Sequence, residues 1–148
     1  TMPFAEAEKY REQLNDAIAK SETPFTGKFA MMRHSAIYEN EADRQLALGA
    51  LRHTLGQFGN LMQKKGDVIN GFPERVPVDQ LDGNMRYDPD TLEENLMFGS
   101  AEQCGEKLAA YKDIGVDAYI YYASMGLDMD MQKRSLSTFI ERVMPHAA

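Results

Sequence analysis

Asp128 and Asp130 form a D-x-D pair, a spacing at which two carboxylates could share a metal ion. Hard cations such as Mg2+ and Ca2+ demand about six to eight oxygen ligands, and no further spaced ligand accompanies the pair. Capping of the helix that follows is the better reading. Cys104 is the single cysteine. A nucleophilic thiolate needs an electropositive, partly exposed setting, but Cys104 falls on the apolar face of a helix, which predicts a buried structural thiol. His53 and His146 have no metal-like spacing to another His or Cys and read as surface or packing residues. Arg33, His34 and Ser35 interrupt the apolar stretch FAMMRHSAIY, Phe29–Tyr38. Polar groups inside a strand need partners, and packing alone accounts for them as an ion-paired arginine and a hydrogen-bonded core histidine. There is no P-loop, no GxGxxG and no G-x-S-x-G. No residue is assigned a catalytic role.

The elements that position these residues centre on Phe98–Gly126, FGSAEQCGEKLAAYKDIGVDAYIYYASMG. Ser100 and Gln103 make an S-x-x-Q capping box. Cys104, Leu108 and Tyr111 recur at helical spacing, and Gly115 stands where a helix end wants a left-handed residue. Ala118–Ala123, AYIYYA, has no polar alternation, which predicts a strand buried on both faces, as in parallel sheets covered by helices.

Before that unit, Pro3 to Ser21 reads as an amphipathic helix with Tyr10, Leu14, Ala17 and Ile18 on one side. Phe29–Tyr38 reads as a strand. Asn40 caps a second helix reaching Met62, with Leu48, Leu51, Leu55, Phe58 and Met62 as its buried stripe. Residues 64–90 read as a long irregular loop punctuated by Gly66, Gly71, Pro73, Pro77, Gly83 and Pro89. Loops of that length are often lids or binding loops. Asp90–Met97 adds a short helix. A last helix starts at Asp128 or Asp130, buries Leu136, Phe139, Ile140 and Val143, and ends at Pro145. Helices alternating with buried strands indicate an α/β fold with parallel strands.

Composition narrows the function classes. A net charge of −7 without a basic patch disfavours nucleic acid and anionic membrane surfaces. No apolar run approaches the ~18 residues of a membrane span. One cysteine excludes an internal disulfide and suits a reducing compartment. The N-terminus is acidic and amphipathic, unlike a signal peptide, so a cytoplasmic protein is expected. Ten methionines are scattered, as pliable core filler would be.

Two firm strands cannot bury this many apolar helix faces, and a complete (β/α)8 barrel takes roughly 250 residues. The 148-residue chain starts and stops with a helix, as the second half of such a barrel would. Thr1 ahead of Met2 also favours a fragment. The expectation is a single domain or fragment over 1–148, forming the C-terminal part of a TIM-like (β/α)8 barrel, incomplete by itself.

A family resemblance runs the same way. Tyr38-Glu39-Asn40-Glu41-Ala42 is an acidic turn after a strand, and Gly99-Ser100-Ala101-Glu102-Gln103 opens a helix. Gly115-Val116-Asp117 leads into the last strand, and Ser135-Leu136, Phe139 and Val143-Met144-Pro145 close the chain. In this order the elements resemble the C-terminal portion of luciferase-like, flavin-dependent monooxygenases, over nearly the whole chain but only the family's second half.

The resemblance implies a barrel that binds reduced flavin (FMN or a related flavin), reacts it with O2 and oxidises a small organic substrate. The family's N-terminal half, which supplies the first strands and much of the flavin cradle, has no counterpart here, so the chain alone is expected to lack a complete active site. Barrel active sites sit at the C-terminal ends of the strands. That makes Arg33 and His34 candidates to face flavin or substrate, with Tyr122, Ser124 and Met125 lining the pocket. The competing expectation is a stand-alone, non-catalytic half-barrel that self-associates through unpaired strand edges. A homo-oligomer is expected either way.

Overall fold

The computed structural model describes residues 2–63, 67–123 and 126–147. Helix α1 (Phe4–Ala19) leads to strand β1 (Ala30–Ile37) and helix α2 (Glu41–Gln63). A short antiparallel hairpin follows, β2 (Val68–Ile69) with β3 (Phe72–Pro73), then two 3-10 turns, Val78–Leu81 and Met85–Tyr87. The chain continues through α3 (Pro89–Asn95), β4 (Met97–Gly99), α4 (Ala101–Asp113), β5 (Ala118–Tyr122) and α5 (Met129–Thr138). A π turn (Phe139–Val143) and a 3-10 turn (Met144–Ala147) extend the last helix.

Local chemistry accounts for the boundaries. The Asp43 N–H donates to Asn40 Oδ1 at 2.9 Å and starts α2. At α4 both halves of the capping box form, Gln103 N–H to Ser100 Oγ at 3.3 Å and Ser100 N–H to Gln103 Oε1 at 2.9 Å. Gly115 takes φ +82°, and the Val116 N–H returns to Tyr111 O at 3.0 Å, closing the helix end. Asp128 accepts from the Met131 N–H at 2.8 Å and caps α5.

The main sheet is α/β and parallel, in the order β4-β1-β5. Ser35–Ile37 pairs with Met97–Gly99, and Ala30–His34 pairs with Ala118–Tyr122. In a barrel arc each strand neighbours the next one in the chain. Here β5 returns past β4 to the far edge of β1, the 2-1-3 order of open sheets wound in both directions. Right-handed crossovers in opposite directions put α2 and α4 on opposite faces.

The core divides accordingly. On one face Met31 and Ile37 pack with Cys104, Leu108, Tyr111, Phe139 and Val143. On the other, Ala36, Tyr38 and Phe98 pack with Ala47, Leu48, Leu51 and Leu92. The two-residue period of β1 sorts its side chains between these layers.

Several expectations are corrected. β4 is a third strand, fully buried, and is too short for a period to reveal it. β5 is not buried on both faces: Tyr119 and Tyr121 are half-buried, but Ile120 and Tyr122 are exposed, on a face left uncovered among the described residues. The stripe on α2 is buried only at Leu48 and Leu51, with Leu55 partly so; Phe58 and Met62 are exposed, on a helix that also packs against the two 3-10 turns. On α1 the one buried residue is Ala7, and Tyr10 is exposed. Phe139 and Val143 are buried as expected, whereas Leu136 and Ile140 are exposed. The α-helical geometry of α5 stops at Thr138, ahead of Pro145. No helix among the described residues is long and apolar enough to cross a membrane.

Candidate functional site

The alternation of β1 separates the two adjacent candidates. Arg33 points to the α4 face and is buried. Its Nε donates to Tyr111 Oη at 3.1 Å, and its other nitrogens donate to Met32 O at 3.1 Å and Met2 O at 3.4 Å. The guanidinium carbon lies 5.5 Å from the Tyr111 ring centroid. A phenol, two carbonyls and a ring face thus take the place of the expected carboxylate.

His34 points to the opposite face. It lies across from Tyr122 in the ladder, with ring centroids 4.6 Å apart. Its Nδ1 is shielded from solvent and has no hydrogen-bond partner among the described residues. Burial holds the imidazole below its ordinary 6.5, so it is neutral at pH 7. Beside this pair stand Met32 (56% exposed) and Ile120 (48% exposed), also opposed in the ladder. The result is an uncovered apolar and aromatic face at β1 and β5, carrying one orphaned imidazole nitrogen. Ser124 and Met125, the other two candidates, lie outside the described residues.

The α4 face is closed by a hydroxyl network with no counterpart in the sequence reading. Ser35 Oγ donates to Arg33 O at 2.9 Å and lies 2.8 Å from Tyr119 Oη. Ser135 Oγ lies 2.6 Å from Tyr121 Oη and accepts from the Ile37 N–H at 2.6 Å, beyond the last β1–β5 pair. Burial raises the Tyr119 and Tyr121 phenols, so both stay protonated at neutral pH.

A second polar cluster lies at the C-terminal end of β1. Arg44 grips Glu93 with two bonds, at 2.8 and 2.7 Å, and Tyr38 Oη donates to the same carboxylate. Arg44 holds the Glu93 carboxyl below the ordinary carboxylate range. Lys107 reaches under β4 to donate to Leu96 O at 3.0 Å and Phe98 O at 2.8 Å. Tyr38 and Arg44 lie 55 and 49 residues from Glu93, a separation that leaves no local pattern in the sequence.

The remaining candidates behave as packing chemistry predicts. Cys104 is buried, and burial pushes its thiol up to about 12. His53 and His146 are exposed. Asp128 is a helix cap, and no group of three or more His, Cys, Asp or Glu among the described residues could hold a metal ion.

No family model matches the chain, and no solved structure matches it. It is similar to the flavin-dependent trigonelline monooxygenase, oxygenase component, of Acinetobacter baylyi, at 24% identity over 140 residues. The match takes in 95% of this chain and 39% of that protein, so the chain spans about two fifths of the length of the curated relative it matches.

Proposed function

We propose that this chain is part of a flavin-dependent monooxygenase of the luciferase-like kind, and that the uncovered face bearing His34 and Tyr122 is where it meets the flavin. The observation that carries the reading is that face, taken with the distant similarity to a flavin-dependent oxygenase component. The flavin is FMN in reduced form, and when bound it supplies the electrons with which O2 oxidises a small organic substrate. Its flat ring suits a surface of Met32, Ile120 and Tyr122, which offers apolar contact and excludes water. His34, neutral and lacking a partner at Nδ1, supplies one hydrogen bond to a ring heteroatom and fixes the ring's orientation. Arg33 takes part indirectly, by holding β1 against α4.

In this reading the intact protein is a cytoplasmic, homo-oligomeric TIM-like barrel enzyme. The test is titration of the native polypeptide with FMN, FAD and riboflavin, followed by flavin fluorescence. Saturable binding with a preference for FMN is expected. No saturable binding to any of the three overturns the reading.

One observation favours a second reading. Met32, Ile120 and Tyr122 are exposed on one sheet face, and the outer edges of β4 and β5 pair with no strand among the described residues. Such edges recruit other chains, and a non-catalytic, self-associating protein would bury both features. Light scattering that finds a monomer at micromolar concentration removes it.

A further inference from the structure

A cleft of about 470 Å³ opens between the C-terminal half of α2 and residues 74–87, and none of its lining residues belongs to the main sheet. Its walls are built to stay closed on each other. Gln57 clasps Val76 in both directions, Nε2 donating to Val76 O at 2.9 Å and Oε1 accepting from the Val76 N–H at 3.3 Å. Gly56 and Gly59 allow the approach, since a Cβ at either would stand 2.9 Å from Leu81 or Tyr87.

Asn60 sits at the bottom of this cleft, 4% exposed. Its Nδ2 donates to Glu74 O at 2.6 Å, which fixes which way the amide faces. Its Oδ1 is then a buried acceptor with no donor among the described residues. Leaving such an acceptor unpaired is unfavourable, so a donor arriving from outside is favoured. Arg75 and Arg86 line the same cleft, and neither guanidinium meets a carboxylate among the described residues. The one acid on the lining is Glu74, so two positive charges face one negative in a chain whose net charge is −7.

We infer that this cleft binds a phosphate monoester of a polyhydroxy compound. The two arginines take the phosphate oxygens, which as a tetrahedral dianion engage both guanidinium groups where a carboxylate would be satisfied by one. A neighbouring hydroxyl of the ligand donates to Asn60 Oδ1. The site is independent of the flavin reading, because it shares no residue with the His34 face.

Calorimetric titration of the full chain with ribose 5-phosphate, inorganic phosphate and ribose tests it. Ribose 5-phosphate is expected to bind saturably and about tenfold tighter than inorganic phosphate, with no saturable heat from ribose. The Arg75→Gln/Arg86→Gln double variant alters only exposed side chains and is expected to lose at least about thirtyfold in affinity. Asn60→Leu is expected to erase the preference for the sugar ester while retaining phosphate binding. If that variant does not fold, the arginine double variant decides by itself. The inference is overturned by no saturable binding, by binding that survives in the double variant, or by equal affinity for inorganic phosphate.

Discussion

Tyr122 stands directly across from His34 in the β1–β5 ladder, the two rings 4.6 Å apart and tilted by 33°. The contact shields Nδ1 without giving it a partner, and the consequence is a pH dependence with a defined sign. Burial lowers the folded pKa below the ordinary 6.5. The unfolded chain therefore takes up this proton first as pH falls, and the stability linked to neutral His34 is full above 6.5 and lost as pH drops through that value toward the folded pKa. Thermal unfolding followed from about pH 7 to about pH 5.5 is expected to show a falling midpoint, and His34→Gln is expected to shrink the fall. Glu93, held below 4.5 chiefly by Arg44, titrates in a lower window and leaves this one clear. Equal slopes for the two proteins would refute the assignment.

The opposite orientations of Arg33 and His34 separate stability from ligand binding. Tyr111→Phe removes the acceptor of the buried Arg33 Nε–H and is expected to cost about 1–3 kcal/mol in urea unfolding. Flavin affinity of the native polypeptide is expected to be unchanged by it. Tyr122→Ala is expected to do the reverse, lowering flavin affinity while moving the unfolding midpoint little, since the ring is 43% exposed. A loss of flavin affinity in Tyr111→Phe equal to that in Tyr122→Ala would place the flavin elsewhere.

What the sequence made legible follows from the range of the interactions involved. The caps at Asn40, Ser100 and Asp128 and the left-handed Gly115 are decided within four residues, and all are present. The two longer strands and their parallel direction were legible from runs of apolar residues between helices. Strand order was not, because the residues of β5 say nothing about which edge of β1 they will pair with. For the same reason AYIYYA suggested burial on both faces: an apolar run records what a strand can bury and not what is there to cover it. The site candidates show the limit most sharply. Arg33 and His34 are neighbours in sequence and stand on opposite sides of the sheet, while Asn60, Arg75 and Arg86 come together only through the fold of residues 74–87 on α2.

Arg44 and Glu93 are expected to be strongly coupled. They join the first turns of α2 to α3 through two short bonds, and each side chain is 23% exposed. Charge-assisted bonds in such a setting are worth about 1.5–3 kcal/mol. A double-mutant cycle of Arg44→Leu and Glu93→Leu, measured by urea unfolding, is expected to give a coupling energy in about that range. Tyr38→Phe is expected to cost less, because Glu93 keeps both bonds to Arg44. A coupling no larger than about 0.5 kcal/mol would mean that water screens the pair as on an ordinary surface.

Gly105 and His146 set two known effects against each other. Gly105 lies inside α4, where alanine is favoured over glycine by about 1 kcal/mol. A Cβ there, however, would stand 2.6 Å from the His146 ring, which the final 3-10 turn lays across the helix. Overpacking of that kind costs about 1–3 kcal/mol unless the ring moves away. Gly105→Ala alone is therefore expected to leave stability unchanged or reduced. In the background of His146→Ala, an exposed side chain whose own removal costs little, the same substitution is expected to stabilise by about 1 kcal/mol. Urea unfolding of the four proteins checks the sign reversal. Stabilisation by Gly105→Ala in both backgrounds would show that the C-terminal turn does not rest on α4 in solution.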